Sequence, residues 1–587
     1  MPRESIVRLR DVMRREGLDT VLVVTDDFHG SEYVGEYFRE RAYLTGFTGS
    51  AGTAVVTADE ALLWTDGRYF LQAAEQLADS GITLMKSGEP QVPTPTAWLL
   101  EHLKEGQVLG FDGRTVAASF AETLGDALRR RGGRLRADVD PVGEIWEDRP
   151  PLSAQPACLL DTDLVGVSRE QKLADLRNEL EQAEADCLLV TSLDDIMWLL
   201  NIRGADIPCN PVLLSYLYVD SGQCWLFCNE NAFGELDRIV LQTAGVTLAP
   251  YEQIYQIVPQ LTDLTIWLDP HKTNFALTSL LPRSAKRLER PNPITACKAL
   301  KNEVEIAHSF RAHQADGVAV TRFIRWLKTA AVAENATELT AAERLEQFRR
   351  EHAAYAEPSF ESIVAYGDHG AIVHYSATPE SDRPLQAEGF VLCDVGGQYR
   401  GGTTDTTRTV SLGTLTEQQK TDYTDVLRGH LRLMAVKFRS GMNGSQLDIL
   451  ARQPLWERGL DYNHGTGHGV GYMLNVHEGP NGFRWKGECA VFEAGMITSD
   501  EPGLYRAGEY GIRIENLLLC ENAATDGFLC FRSLTPVPYD REAILPERLT
   551  VDERETLNDY HQWVYDTLAP SLSEEERVWL QEATAAL

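Results

Sequence analysis

No stretch of the chain approaches the roughly 20 consecutive apolar residues that a bilayer-crossing helix needs, so a helical membrane span is not expected. Cysteines at zinc spacing are also missing. Of ten, only Cys224 and Cys228 lie close together, inside an apolar run with no second pair nearby, so a cysteine-ligated structural zinc is excluded. The cysteines are read as reduced and mostly packed. Basic charge is scarce: 55 Lys and Arg stand against 87 Asp and Glu, a net charge of −32. That balance makes nucleic acid and an anionic membrane surface poor partners. It suits substrates with a free amino terminus weakly, and solubility is reason enough for it. Low-complexity linkers are absent. Near the N-terminus Arg3, Arg8, Arg10, Arg14 and Arg15 are interrupted by Glu4, Asp11 and Glu16, and no apolar segment follows as a leader would require. The simplest compartment is the cytoplasm.

What is present is length and a repeat. A chain of 587 residues exceeds one core and implies roughly three or four domains. Ser5 to Glu16 has helical periodicity, with Ile6, Leu9, Val12 and Met13 on one face. The buried-strand run Thr20 to Thr25 follows, then strands Gly52 to Thr57 and Ala61 to Thr65, with a helix opening at Asp66 to Tyr69. The pattern restarts at Ser168. Leu9, Arg10 and Met13 match Leu176, Arg177 and Leu180, and Asp19 before Val21 to Val23 matches Asp186 before Leu188 to Val190. Ser215 to Asp220 and Cys224 to Cys228 read as a hairpin. A long amphipathic helix is expected from Asn302 to about Ala331. Thr340 to Glu343 reads as the capping box of a second helix, and Thr416 to Gln419 as that of a third that Gly441 can end. Strands are expected at Ser362 to Tyr366, Gly389 to Val395, Thr407 to Leu412, Gly511 to Cys520 and Phe528 to Leu534. Two amphipathic helices close the chain after Arg541.

The chemistry concentrates between Asn463 and Asn516. His468 lies in a Gly-rich loop after His464; Glu501 precedes the turn Pro502-Gly503; Glu515 stands among Ile512, Ile514, Leu517 and Leu518. A carboxylate in such surroundings needs a partner or a metal. By strand alternation Arg513 shares its face, so a simple ion pair is the plain alternative. Upstream, Asp394 ends one apolar strand and Asp405 begins another, and a hairpin of that length can aim both into one cleft. Two Asp, two Glu and one His can hold two divalent ions about 3.5 to 4 Å apart with a shared water that attacks a carbonyl. The oxygen-rich donors favour manganese or magnesium over zinc, with cobalt chemically open.

These motifs, with Gly370 to Tyr375, Gly402 to Thr409, His464 to Gly471, Asn475 to Gly479, Asp500 to Gly503 and Gly511 to Asn516, resemble the methionine-aminopeptidase/prolidase superfamily, and within it three-domain aminopeptidase P. The resemblance covers essentially the whole chain. It implies a mixed α/β and α+β architecture: two related creatinase-like α/β domains at 1–152 and 153–297, a pita-bread catalytic domain at 298–540 and a helical extension at 541–587. It implies Asp394 as ligand of one metal, His468 and Glu501 as ligands of the other, and Asp405 and Glu515 as bridges. Manganese is the expected ion, zinc or cobalt the alternatives. Glu501 also becomes the proton acceptor, with His374, His464 and His477 on the substrate side and Tyr505 and Arg513 in support. His369 and His430 receive no role and are read as structural or exposed, His430→Ala being expected to do little. The implied reaction releases the first residue of peptides with proline second, by attack of a metal-bridging hydroxide, in a homodimer. Prolidase and a metal-free binding protein of the same fold are the alternatives.

Overall fold

Val21 and Val23 point to one side of the strand Thr20–Val24, into a cluster with Ile6, Leu9 and Met13, while Leu22 points to the other, against Leu99 and Leu109. A strand apolar on both faces must be covered on both, and helices do so here. The computed structural model describes residues 3–487 and 489–587. They fall into two compact units, one made of the residues up to Thr162 with Val167–Thr295, the other of Asp163–Gly166 with Ala296–Leu587.

The first unit holds the repeat as two six-stranded sheets. Each sheet has the same spatial order: counting its own strands along the chain, fourth, third, second, first, fifth, sixth. In both, the first three strands pair antiparallel and the remaining contacts are parallel. The matched aspartates do the same work in each copy. Asp19 Oδ2 accepts from the Val108 N–H at 2.7 Å, and Asp186 Oδ2 accepts from the Thr265 N–H at 2.6 Å, each tying the first strand to the fifth. The hairpin Ser215–Asp220 with Cys224–Cys228 forms as expected.

The second unit opens with the helix Glu303–Trp326, capped by Asn302 and extended by a π-helical turn at Leu327–Ala331. Three expectations are corrected here. The next helix starts at Glu338, not after Thr340: Thr337 is its cap, and Thr340 returns the bond to the Thr337 N–H at 2.7 Å. The helix capped by Thr416 ends at Met434, and the strand Lys437–Arg439 intervenes before Gly441. The run from Gly511 to Cys520 is two strands, Tyr510–Arg513 and Asn516–Asn522, interrupted at Ile514 and Glu515. A further helix, Gly444–Trp456, is capped by Asn443 and Gln446, a box outside the sequence expectations. Ile363–Tyr366, Phe390–Val395 and Thr406–Ser411 make one three-stranded sheet; Ile497–Asp500 and Asn516–Asn522 pair at the edge of a four-stranded one. The helices Val551–Leu568 and Glu574–Ala583 bury Leu557, Tyr560, Val564 and Leu580 in the core of this unit. Among the described residues no helix is long and apolar enough to cross a membrane, and all ten cysteines are unbridged.

Candidate metal centre

Strand register brings the acids together. Asp394 sits opposite Thr407 in the pair Phe390–Val395 with Thr406–Ser411, so Asp405 enters that partner strand one residue before its start. Asp500 sits opposite Asn516, so Glu501 and Glu515 leave the adjacent ends of the same ladder. His468 belongs to a two-residue strand paired with Gly482–Phe483, and its N–H donates to Ser499 Oγ at 2.9 Å. Its Gly-rich neighbours are needed for close approach: a Cβ on Gly467 would lie 1.8 Å from the Ser499 carbonyl oxygen.

The resulting geometry is that of a cation site. Ligand atoms of Asp405, His468 and Glu515 lie within 4.8 Å of one another. His468 Nε2 is 3.5 Å from Asp405 Oδ2 and 3.6 Å from Glu501 Oε1. Its Nδ1 is 3.0 Å from the Gly469 carbonyl, which can only accept, so Nδ1 carries a proton and Nε2 is the nitrogen turned to the two carboxylates. Asp394 Oδ1 and Glu515 Oε1 are buried without a hydrogen-bond partner, so each has a lone pair to offer. Arg513 brings a guanidinium among the four acids: its Nη2 donates to Asp394 Oδ2 at 2.6 Å. It does not pair with Glu515, because the strand breaks between them and alternation no longer applies. Glu515 Oε2 instead accepts from Thr407 Oγ1 at 2.8 Å.

Electrostatics agree. Burial, then Asp394 and Glu501, push the Asp405 carboxyl well above its usual range. Burial, then Asp405 and Asp394, do the same to Glu515. Glu501 is pushed up to about 8, by burial first and Glu515 second. Four grouped carboxylates, Asp405 and Glu515 fully buried and Asp394 and Glu501 partly so, facing one arginine and one imidazole, repel one another, and divalent cations relieve that repulsion. The donor set therefore fits the implied metals.

Around this core, Arg513 Nη1 donates to the Tyr505 hydroxyl at 2.9 Å, and that hydroxyl lies 2.8 Å from His464 Nε2. With the Tyr505 oxygen accepting from Arg513, its own proton goes to His464. The His477 ring stands edge-on to His468 at 4.3 Å between centroids. His374 follows the turn Gly367–Ala371, whose Gly370 lies against Gly511 of the Tyr505 hairpin, and the neighbouring Tyr375 hydroxyl donates to Glu338 Oε2 at 2.8 Å. Neither unassigned histidine is exposed. His369 is buried, with Nδ1 2.9 Å from Glu338 Oε1, and His430 is fully buried behind Asp500. The sequence reading also passed over Thr407, Ser499 and the buried Arg452, which donates to the His464 carbonyl at 2.8 Å and to Asp448 at 2.7 Å. A signal existed for the first: Thr403 to Thr409 is an unbroken polar run, and all of it is buried.

A second acidic cluster, Glu40, Asp112 and Asp140, is already paired with arginines. Arg149 pairs with Glu40 and, at 2.7 Å, with Asp140; Arg114 pairs with Asp112 at 2.7 Å.

The fold and this centre define a metallohydrolase. Residues 308–522 match metallopeptidase family M24, 527–587 the C-terminal region of that peptidase, and 6–145 and 148–305 each a creatinase/prolidase N-terminal domain. The chain belongs to metallopeptidase family M24, with two creatinase-type domains before its pita-bread domain. It is similar to Xaa-Pro aminopeptidase 1 of Dictyostelium discoideum, 36% identical over 97% of this chain and 93% of that one. A Xaa-Pro aminopeptidase of Drosophila melanogaster is 38% identical over 97% of this chain and 96% of its own. Among solved structures, an X-prolyl aminopeptidase of Caenorhabditis elegans, described as a cytosolic enzyme with a dinuclear active site, superposes with a TM-score of 0.96 at 34% identity, covering 100% of this chain and 99% of that one.

Proposed function

We propose that this chain is a dinuclear Xaa-Pro aminopeptidase, removing the N-terminal residue from peptides with proline in the second position. The observation that carries the reading is the convergence of four carboxylates, two of them fully buried, on one imidazole, in a chain matching such enzymes over its full length. Asp394 would hold one ion, His468 and Glu501 the other, and Asp405 and Glu515 both. When bound, the ions supply Lewis-acid activation of water and of the scissile carbonyl.

The chain's own groups do the rest. Glu501, reached by Ser499 Oγ at 3.4 Å, accepts a proton at its carboxylate. The Xaa-Pro bond is a tertiary amide whose nitrogen carries no hydrogen, so that nitrogen must be protonated as it leaves, by Glu501 or by one of His374, His464 and His477. Tyr505 and Arg513 hold His464 and Asp394 in place. The chemistry belongs to the domain at residues 298–540, not to those at 1–152 and 153–297 or the extension at 541–587. Manganese is the working ion, as the oxygen-rich donors favour. The enzyme acts in the cytosol, as the nematode protein is described, and the family resemblance supports a homodimer.

Chelator-stripped enzyme reconstituted with each divalent metal in turn should release Arg from Arg-Pro-Pro, fastest with manganese. Cleavage of Xaa-Pro dipeptides alone would make it a prolidase. No bound metal and no hydrolysis after reconstitution would make it a binding protein.

A further inference from the structure

We infer that His430 is a positioning residue for the metal centre, holding from behind the strand ends that deliver Glu501 and Glu515. This rests on the reading of those two glutamates as ligands. His430 lies on the helix Glu417–Met434 with 0% exposure. Its Nδ1 is 3.0 Å from the Asp500 carbonyl oxygen, and its Nε2 is 2.8 Å from the Tyr539 hydroxyl. Asn516 Nδ2 donates to that same hydroxyl at 2.8 Å. Asp500 and Asn516 face each other across the ladder, each one residue from a glutamate.

Groups that can only donate or only accept orient this relay. Arg408 has only donors, and its Nη2 lies 2.8 Å from Asn516 Oδ1, which orients the Asn516 amide with its nitrogen toward Tyr539. The Tyr539 oxygen then accepts from Asn516 and bonds His430 Nε2 at its other side. The Asp500 carbonyl can only accept, so His430 Nδ1–H donates to it. Asp500 Oδ2 lies 3.1 Å from the same nitrogen but off the hydrogen-bond direction, so the carbonyl is the partner that counts. Arg408 closes the loop by donating through Nη1 to the Glu515 carbonyl at 2.5 Å. One imidazole thus ties the backbone before Glu501, through Tyr539, to the side chain after Glu515. None of these groups touches the reacting atoms; their work is to fix where two carboxylates stand. Outer partners of metal ligands commonly change metal affinity or activity by about 10- to 100-fold when replaced.

The test is calorimetric titration of manganese into apo-enzyme for wild type, His430→Asn, His430→Leu and Tyr539→Phe, with circular dichroism to confirm folding. Asn keeps an N–H for the Asp500 carbonyl, whereas Leu keeps only bulk. Metal dissociation constants should rise in the order His, Asn, Leu, by 10-fold or more at Leu, with Tyr539→Phe also weakened. In the loaded enzyme kcat should fall while KM for the peptide holds. Val564→Ala, in the core of the tail helix, serves as a stability control: its melting temperature should drop with metal affinity unchanged. Glu515→Gln, run in parallel, separates the two readings. If it binds metal as wild type does, the ligand reading fails. If it loses metal while the His430 and Tyr539 variants lose only melting temperature, the positioning role is overturned.

Discussion

Glu515 shows at the scale of one residue how function opposes stability. Its Oε1 is buried without a partner and its carboxyl is held well above the usual range by burial and by Asp405 and Asp394. Glu515→Gln keeps the shape and removes an acid, so apo-enzyme should gain about 1 kcal/mol or more in denaturant unfolding. Peptide turnover should fall to background, as it should in His468→Ala. An apo-enzyme destabilised by the Gln substitution would contradict the picture of a repelling acid cluster. His561 gives the clearest pH dependence. Burial, then Arg541 and Arg408, lower it to about 3, while its Nε2 accepts from the Tyr539 N–H at 3.1 Å. Its folded pKa lies below the unfolded value near 6.5, so between pH 6.5 and 3 the unfolded chain binds a proton that the folded chain refuses. The stability is complete above pH 6.5 and declines on acidification, by an amount on the order of 4 kcal/mol from this group. His561→Gln should flatten melting temperature against pH across that window.

Among elements, the turn Gly367–Ala371 and the strand Tyr510–Arg513 have one crossing point. A Cβ on Gly511 would sit 1.7 Å from the Gly370 carbonyl oxygen. Gly511→Ala must drive the turn that leads to His374 away from the hairpin carrying Tyr505 and Arg513. Displacement of a reacting group by about 1 Å can cost on the order of 100-fold in rate, so kcat/KM should fall at least tenfold, with about 1 to 3 kcal/mol of stability lost to overpacking. Loss of melting temperature with kcat/KM intact would assign that contact to structure alone. Elements of this kind were unevenly legible. The strand runs and the Thr416 cap could be read because alternation and capping are local. The break at Ile514 and Glu515 could not, since both residues continue an apolar pattern and only the second sheet edge decides where pairing stops. The Thr340 box misled for a related reason: Thr337 and Thr340 are both good caps, and the one chosen depends on where Arg383 and Asp382 meet the helix start.

Across the whole molecule, the proposed metal ligands all belong to the second compact unit. A cation that binds only the folded state adds about 2.7 kcal/mol at 100 times its dissociation constant. Scanning calorimetry should therefore show a chelator lowering the transition of residues 296–587 and leaving that of the two repeated domains in place. Movement of both transitions together would mean that the units unfold as one. The repeat itself could be read from residues alone, because Asp19 and Asp186 and the runs after them are short, local and similar, and the two sheets have identical strand order. The residue types of the centre could be read for the same reason: carboxylates in apolar strands demand a partner wherever they end up. What partner each one meets was a matter for tertiary structure. Arg513 pairs with Asp394 across 119 positions and not with Glu515 two away, and His430 stands behind Asp500 across 70. Sequence spacing carries burial and periodicity, which are properties of one element. Which donor faces which acceptor is set by register between strands and by the packing of a helix behind them, and these exist only once the chain has closed.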